Sequence, residues 1–433
     1  MLGRGFGFRG AVFFFLLAGG FLFAQSPAGE GGSGRGDYLT LKIAVMGPGD
    51  ELYFWWGHIA LVIDDRVSGE SRFYDYGLFS FDTENFFVNF AFGRLLYRCG
   101  VSPTELNYNA YKRTNRDITV YTLDLPAAKK EEVRAFADRN VLPENRNYYY
   151  HHFKDNCATR IRDIIDLATD GQFKEAFGEA PGRYTLRQHV RRHTWFSPFF
   201  DWLLNFFMGQ DIDTPITVWE EMFLPREIGN RIDGFICRDP AGGERKLVSS
   251  VEVLNRALNR PAILDVPRRQ WPRELVLGLA IAAVLVLLFR LERKRPMAGR
   301  ILMGITQSLI GLFFGIAGSI LFFMAFFTDH DYTYHNSNIL YINPLLLAAV
   351  PLGILLAGSK DSRRQGRAGM LLRCLWTYVL FGGVLTMAIK ALPGFYQQNQ
   401  VTQALVLPFA LVLSLVPEWV RRLYRGFFGG RQG

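Results

Sequence analysis

The sequence predicts two unlike parts in one chain: an exported α+β domain, then an all-α transmembrane bundle of five helices. Three observations carry this. The chain opens on an apolar targeting segment. Residues 38–267 mix strand-period and helix-period patterns with no internal repeat. From Leu275 onward the apolar runs reach bilayer-spanning length.

Residues 1–24 read as a signal peptide. Arg4 and Arg9 make a positive start, Ala11 to Phe23 an apolar core, and Ala24 suits cleavage. Retention as an uncleaved anchor is the alternative. SPAGEGGSGRG, within 25–37, reads as a flexible linker. Export places the rest in an oxidising compartment.

Within 38–267, strands are expected at Leu39–Met46, His58–Ile63, Arg72–Tyr76, Arg94–Val101 and Asp117–Leu123. Helices are expected at Thr83–Phe92, Ala127–Asn140 and Cys157–Ala168. TWFSPFFDWLLNFFMG, Thr194 to Gly209, is unusually aromatic and too short to cross a bilayer. Trp195, Phe199, Trp202 and Phe206 are its candidate lipid contacts, because aromatic rings settle at membrane interfaces. An ordinary buried helix is the competing reading.

The five apolar runs are Leu275–Phe289, Ile301–Phe327, Ile339–Ala357, Met370–Leu392 and Val401–Val420. They set a membrane domain at 275–420, with a basic tail at 421–433. RLERKRPMAGR, SKDSRRQGR and the tail are basic, whereas TDHDYTYHNSN and PGFYQQNQ carry no lysine or arginine. The positive-inside rule then puts the basic loops and the C-terminus in the cytoplasm and the first domain outside. The net charge of +9 is largely this topological excess, and no nucleic-acid partner is implied. In the outer loop 326–344, His330, Asn336, Asn338 and Asn343 are polar groups suited to hold lipid headgroups or to orient the exported domain; a solvated connector is the plainer reading. Lys390, near the outer end of its helix, is expected to snorkel.

Chemistry concentrates in YYYHHFKDNCATRIRD, Tyr148 to Asp163. Ile161, Ile164, Ile165 and Ala168 follow Cys157 at helical spacing, and Asp155 or Asn156 suits the N-cap. Cys157 therefore falls in a first helical turn, where orphan N–H groups and the helix dipole favour a thiolate. A buried structural cysteine is the competing reading. Far upstream, His58 opens the strand HIALVI. If this strand and SRFYDYG form a hairpin about Asp64–Gly69, residues near Asp75 lie opposite His58 or one step along. Asp75 is then the first choice to orient the imidazole, ahead of Tyr74 and Tyr76, while His151 and His152 are further candidate bases. The exported part holds Cys99, Cys157 and Cys237, an odd number, which flags a free thiol. Pairing Cys99 with Cys237 would leave Cys157 reactive. Within 38–267 no GxGxxG, P-loop or paired CxxC occurs, so no cofactor and no metal is expected.

WWGHIALVIDD, FYDYGLFSFDTENF and HHFKDNCATRI, in this order, resemble the periplasmic domain of the Lnb-type lipoprotein N-acyltransferases. The resemblance runs from about Tyr38 to Pro225 and resumes in the membrane part. It implies a papain/NlpC-P60-like thiol fold, circularly permuted because histidine precedes cysteine. It also implies Cys157 as nucleophile and His58 as base, with Asp155, Asn156, His152 and Tyr76 as oxyanion or site-supporting residues. The implied partners are a phospholipid acyl donor, a diacylated lipoprotein acceptor and the inner membrane. A membrane-anchored cell-wall peptidase or amidase, a lipid hydrolase, and a non-catalytic scaffold or transporter are the rival readings.

Overall fold

The computed structural model describes residues 37–80, 84–238 and 243–428. The signal segment 1–24, nearly all of the linker 25–37, the expected helix start at Thr83 and residues 429–433 lie outside them. Nine strands are described: β1 (Leu39–Met46), β2 (His58–Asp65), β3 (Ser71–Leu78), β4 (Leu96–Pro103), β5 (Ile118–Leu123), β6 (Asn147–Tyr149), β7 (Ile236–Arg238), β8 (Glu244–Lys246) and β9 (Val248–Asn255). Seven of them form one antiparallel sheet in the order β6-β4-β3-β2-β1-β5-β9, and β7 pairs with β8.

The helices of this domain are α1 (Phe86–Ala91), α2 (Thr104–Arg113), α3 (Ala127–Asn140), α4 (Cys157–Ala168), α5 (Gln172–Phe177), α6 (Leu186–Thr194), α7 (Pro198–Phe207), α8 (Val218–Glu221) and α9 (Pro225–Ile232). The period-two alternation of the strands decides the layers. Leu41, Ile43, Ile59, Leu61 and Tyr74 bury one sheet face against Val133 of α3 and Ile161, Ile164 and Ile165 of α4. Ala44, Ala60, Val62 and Phe73 bury the other, against Tyr108 and Tyr111 of α2.

The membrane part holds α10 (Trp271–Lys294), α11 (Pro296–Phe327), α12 (Ala349–Gly358), α13 (Ser362–Ile389) and α14 (Gln400–Phe428). Among the described residues four segments are long and apolar enough to span a bilayer: Trp271–Lys294, Pro296–Phe327, Ser337–Gly358, which includes α12, and Ser362–Ile389. The apolar stretch Gln400–Ser414 of α14 is shorter. α10 packs on α14 and α11, and α12 packs on α11 and α13.

The aromatic helix α7 belongs to this bundle's core. Trp202 stacks on Phe206, and both are buried, with Trp202 against Phe313 and Phe314 of α11. Their rings therefore meet protein, whereas Phe199 is exposed. Trp195 donates to the Ala262 carbonyl and lies under Arg268. A buried helix end leaves carbonyls that need donors, and those of α7 are met by side chains. Arg187 reaches the carbonyls of Asn205, Met208 and Gly209 at 2.8, 2.9 and 2.6 Å. Asn336 takes Phe206 and Phe207 at 2.8 and 3.0 Å, Asn338 takes Phe206 at 3.1 Å, and Gln397 takes Met208 at 3.1 Å. Arg187 is itself paired with buried Asp213 at 2.8 Å. Asn343 likewise bonds Ile339 and Tyr378. These asparagines are committed to protein partners. Lys390 bonds Gln403 at 3.0 Å.

Replacing Phe206 with alanine should therefore cost the full-length protein about 3–5 kcal/mol. A clearly lowered Tm of the detergent-solubilised chain is expected. An unchanged melt would mean that the ring faces lipid.

Candidate active site

Asn156 builds the first turn of α4. Its Oδ1 accepts from the N–H groups of Ala158 and Thr159 at 2.8 and 3.0 Å, and its own N–H donates to Thr159 Oγ1 at 2.8 Å. Its Nδ2 donates to the carbonyls of His152 and Phe223. Arg160 N–H goes to the Asn156 carbonyl. The cap thus takes every early donor except the N–H of Cys157, the first residue of the helix. The turn is braced by Asp155, whose carboxylate grips Arg160 at 2.6 and 2.7 Å.

α4 packs on β2 and β3 from the face of Leu61 and Tyr74, whereas His58 and Asp75 project from the other face, toward Tyr111 of α2. Asp75 is paired in register with Ala60, two residues from His58, so both side chains project from one face. His58 Nε2 meets Asp75 Oδ1 at 3.0 Å, and Gly77 N–H donates to the same oxygen at 2.7 Å. That bond occupies Nε2 and leaves Nδ1 as the nitrogen available to a thiol. Burial alone would discharge the imidazole. Asp75, Tyr111 and Cys157 together outweigh it and hold the His58 pKa well above the ordinary value. Burial would raise Asp75, but His58 and the Gly77 N–H keep it below the usual carboxylate range. Cys157, half-buried, is thus within electrostatic reach of the pair.

The other named residues sit elsewhere in the geometry. Tyr76 projects from the opposite face, where its hydroxyl accepts from Asn140. His152 stacks edgewise on Trp56 and meets the Tyr150 hydroxyl; burial pushes its pKa down to about 3, so it is neutral. His151 bonds Asp331 of the outer loop at 2.9 Å, and Lys154 joins the same carboxylate at 2.6 Å. Burial would raise the Asp331 pKa, but these two partners push it down to about 2. His330 meets the Phe90 carbonyl at 3.1 Å. No disulfide joins Cys99 and Cys237: both are buried thiols, on β4 and β7. The arithmetic of an odd cysteine count did not see that both sit inside apolar clusters.

Three residues escaped the sequence reading. Tyr111 stacks on His58 at 6.2 Å, and Arg116, fully buried, lies over Tyr111 at 4.7 Å. Gly77 is the third: a Cβ there would stand 2.7 Å from His58 Cε1, so only glycine admits the ring. A glycine two residues from Asp75 on the same strand face was a usable signal, since glycine inside a strand marks a close approach.

The fold and site define a two-part membrane protein: an α+β domain with a hydrogen-bonded His58–Asp75 pair and a helix-start cysteine, docked on a helical membrane region. Residues 34–192 match the family model of the Lnb N-terminal periplasmic domain, and residues 270–416 match that of the Lnb transmembrane domain. The chain belongs to the Lnb family, and its N-terminal domain is external. No curated protein and no solved structure matches it.

The pair carries a pH signature. The raised imidazole contributes stability in full below about pH 6.5, its unfolded value, and loses it as pH climbs toward the raised folded value. The lowered carboxylate contributes fully above about pH 3.9 and loses it as pH falls through the depressed value. Asp75→Asn should therefore lower Tm most at roughly pH 5–6, with the gap to wild type narrowing toward pH 9. Melts across that range test this. An equal gap at both ends would refute the coupled pair.

Proposed function

We propose that the protein is a membrane-anchored thiol acyltransferase that moves an acyl chain from a phospholipid to the N-terminal amine of a diacylated lipoprotein. The observation that carries it is the site itself: a helix-start thiol with an unspent backbone donor, in electrostatic reach of a hydrogen-bonded imidazole–carboxylate pair. Family membership supports the substrates. The histidine-before-cysteine order and the sheet-plus-helix layout agree with a permuted papain/NlpC-P60-like fold.

In the resting site the thiol proton already sits on His58, which Asp75 holds as the imidazolium, so Cys157 stands as the thiolate. Sγ attacks the ester carbonyl of the donor. The Cys157 N–H, at the positive end of α4, offers a hydrogen bond to the oxyanion. Collapse breaks the ester C–O bond, and His58 returns the proton to the departing lysophospholipid oxygen. The acceptor amine then attacks the thioester, His58 takes its proton, and the thiolate leaves an amide behind. Water must be kept from the thioester or hydrolysis competes. The basic loops fit five spans in the inner membrane with the C-terminus in the cytoplasm. A cell-wall amidase with the same cluster has no use for the bundle or for the clamp on α7.

Mass spectrometry of lipoprotein N-termini tests the reading. Cells relying on this protein should carry N-acylated cysteine, and those expressing Cys157→Ala or His58→Ala should carry the free amine. Each substitution should lower turnover by roughly 1,000-fold or more, because nucleophile and base act as a unit. Unchanged N-acylation in Cys157→Ala would reject the mechanism.

A further inference from the structure

Helix α1 has no role in the chemistry above, and its surface is ill suited to water. In six residues, FFVNFA, it exposes Phe87 by 73%, Val88 by 55% and Phe90 by 53%. Scattered exposed apolar side chains are ordinary, but a contiguous patch marks a contact surface.

The height of α1 names what covers that patch. Phe92, at its C-terminal end, meets Phe323 of α11 edge-on at 5.5 Å. Phe323 lies four residues before the outer end of α11, about 6 Å down the helix axis at 1.5 Å per residue. Around it Phe322, Phe326 and Phe327 are exposed on a membrane-spanning helix, where lipid surrounds them. The position is held firmly. Asp329 N–H donates to the Phe92 carbonyl at 2.9 Å, and Arg94 pairs with Asp329 at 2.7 Å. Gly93, at φ +77°, passes so close to the 329–330 backbone that a Cβ would stand 2.9 Å from it. Thus α1 lies beside the last lipid-facing turn of α11, at the depth where acyl chains meet headgroups.

From exposed Phe90 a row of half-buried rings runs to Tyr150, whose hydroxyl meets His152 at 3.3 Å; the His152 carbonyl takes the amide of Asn156, the residue before Cys157. Phe90 stacks with Phe86 at 6.3 Å, Phe86 with Phe79 at 6.2 Å, Phe79 with Tyr97 at 5.0 Å, and Tyr97 with Tyr150 at 4.2 Å. All four steps are near-parallel, with interplanar angles of 26°, 19°, 27° and 20°. The far end is electrostatically coupled to the site: after burial, Cys157 is the next cause raising the Tyr97 hydroxyl pKa, and it also acts on Tyr150.

We propose that α1 inserts Phe87, Val88 and Phe90 into the outer leaflet, and that the row Phe86, Phe79, Tyr97 guides one acyl chain of a phospholipid from the bilayer to Cys157. This rests on the acyl-transfer reading for its purpose, but the binding it describes does not require turnover. Stacked rings offer an apolar surface to a flexible chain while the ester end travels to the thiol. Without such a path the ester must leave the headgroup region through water.

The test is photocross-linking in the full-length Cys157→Ser protein, held in nanodiscs of phosphatidylethanolamine and phosphatidylglycerol. Benzoylphenylalanine replaces Phe87, Phe79 or, as control, Val67 in the exposed turn after β2. The expected result is a mass gain of one phospholipid at Phe87 and Phe79, at least tenfold above Val67. Capture at Phe87 alone would overturn the path, and capture at neither would overturn the whole proposal. Displacement of the lipid from Phe79 by a diacylated lipopeptide would assign the path to the acceptor and overturn it as well. Thiol-intact protein run in parallel separates the two readings. Lipid at Phe79 in a protein whose Cys157 is never acylated upholds the path and rejects acyl transfer. Acylation without lipid at Phe79 does the reverse.

Discussion

A buried helix end cannot leave its carbonyls bare, and the C-terminus of α7 is where this chain meets that demand. Donors arrive from two directions: Arg187 from the external domain, Asn336, Asn338 and Gln397 from the outer loops of the bundle. Losing a donor strands a carbonyl in a place water does not reach, at about 1–3 kcal/mol each. The two parts are therefore held in a single register. The same outer loop extends the hold to α1 through Asp329 and His330, and to the approach to α4 through Asp331. The acyl transfer proposed above would need this, because a thiol at a variable height above the bilayer would meet an ester only by chance.

The opposite end of another helix sets the chemistry. At the C-terminal end of α7 the last carbonyls are satisfied; at the start of α4 one donor is left over. Asn156 is spent on the turn, on the His152 carbonyl and on the Phe223 carbonyl, so its amide cannot also serve an oxyanion. What remains is the Cys157 N–H beside its own sulfur. The imidazole is fixed from the other side by strand register: Asp75 is across the sheet, Gly77 makes room, and Tyr111 closes the face. Each piece is ordinary, and the proposed function rests on their combination in one domain.

Much of this was legible in the chain, for identifiable reasons. Strand β1 and helices α3 and α4 fall where the periodicity put them, because their apolar positions face one core. The hairpin turn at Asp64–Gly69 was enough to single out Asp75, since a two-strand register depends on local sequence alone. Strands β6 and β9 were missed because their partners, β4 and β5, are distant in sequence. The segment Thr194–Gly209 showed its aromatic content but not its destination: the same rings suit an interface or a bundle core, and only the donors of the outer loop select the core. Asn336 and Asn338 stood out as polar groups at a membrane mouth, yet the carbonyls they serve are about 130 positions away. The helix at α1 looked unremarkable because exposure, not composition, is what distinguishes it.

The central claim is that Cys157 carries the acyl group. The most direct measurement is the intact mass of the purified full-length protein after incubation with phospholipid vesicles and no acceptor. The account predicts a gain of one acyl chain on Cys157, released by hydroxylamine, transferred on addition of a diacylated lipopeptide, and absent in Cys157→Ser. Full N-acylation of the lipopeptide with no acyl group ever found on Cys157, or by Cys157→Ser itself, would contradict it.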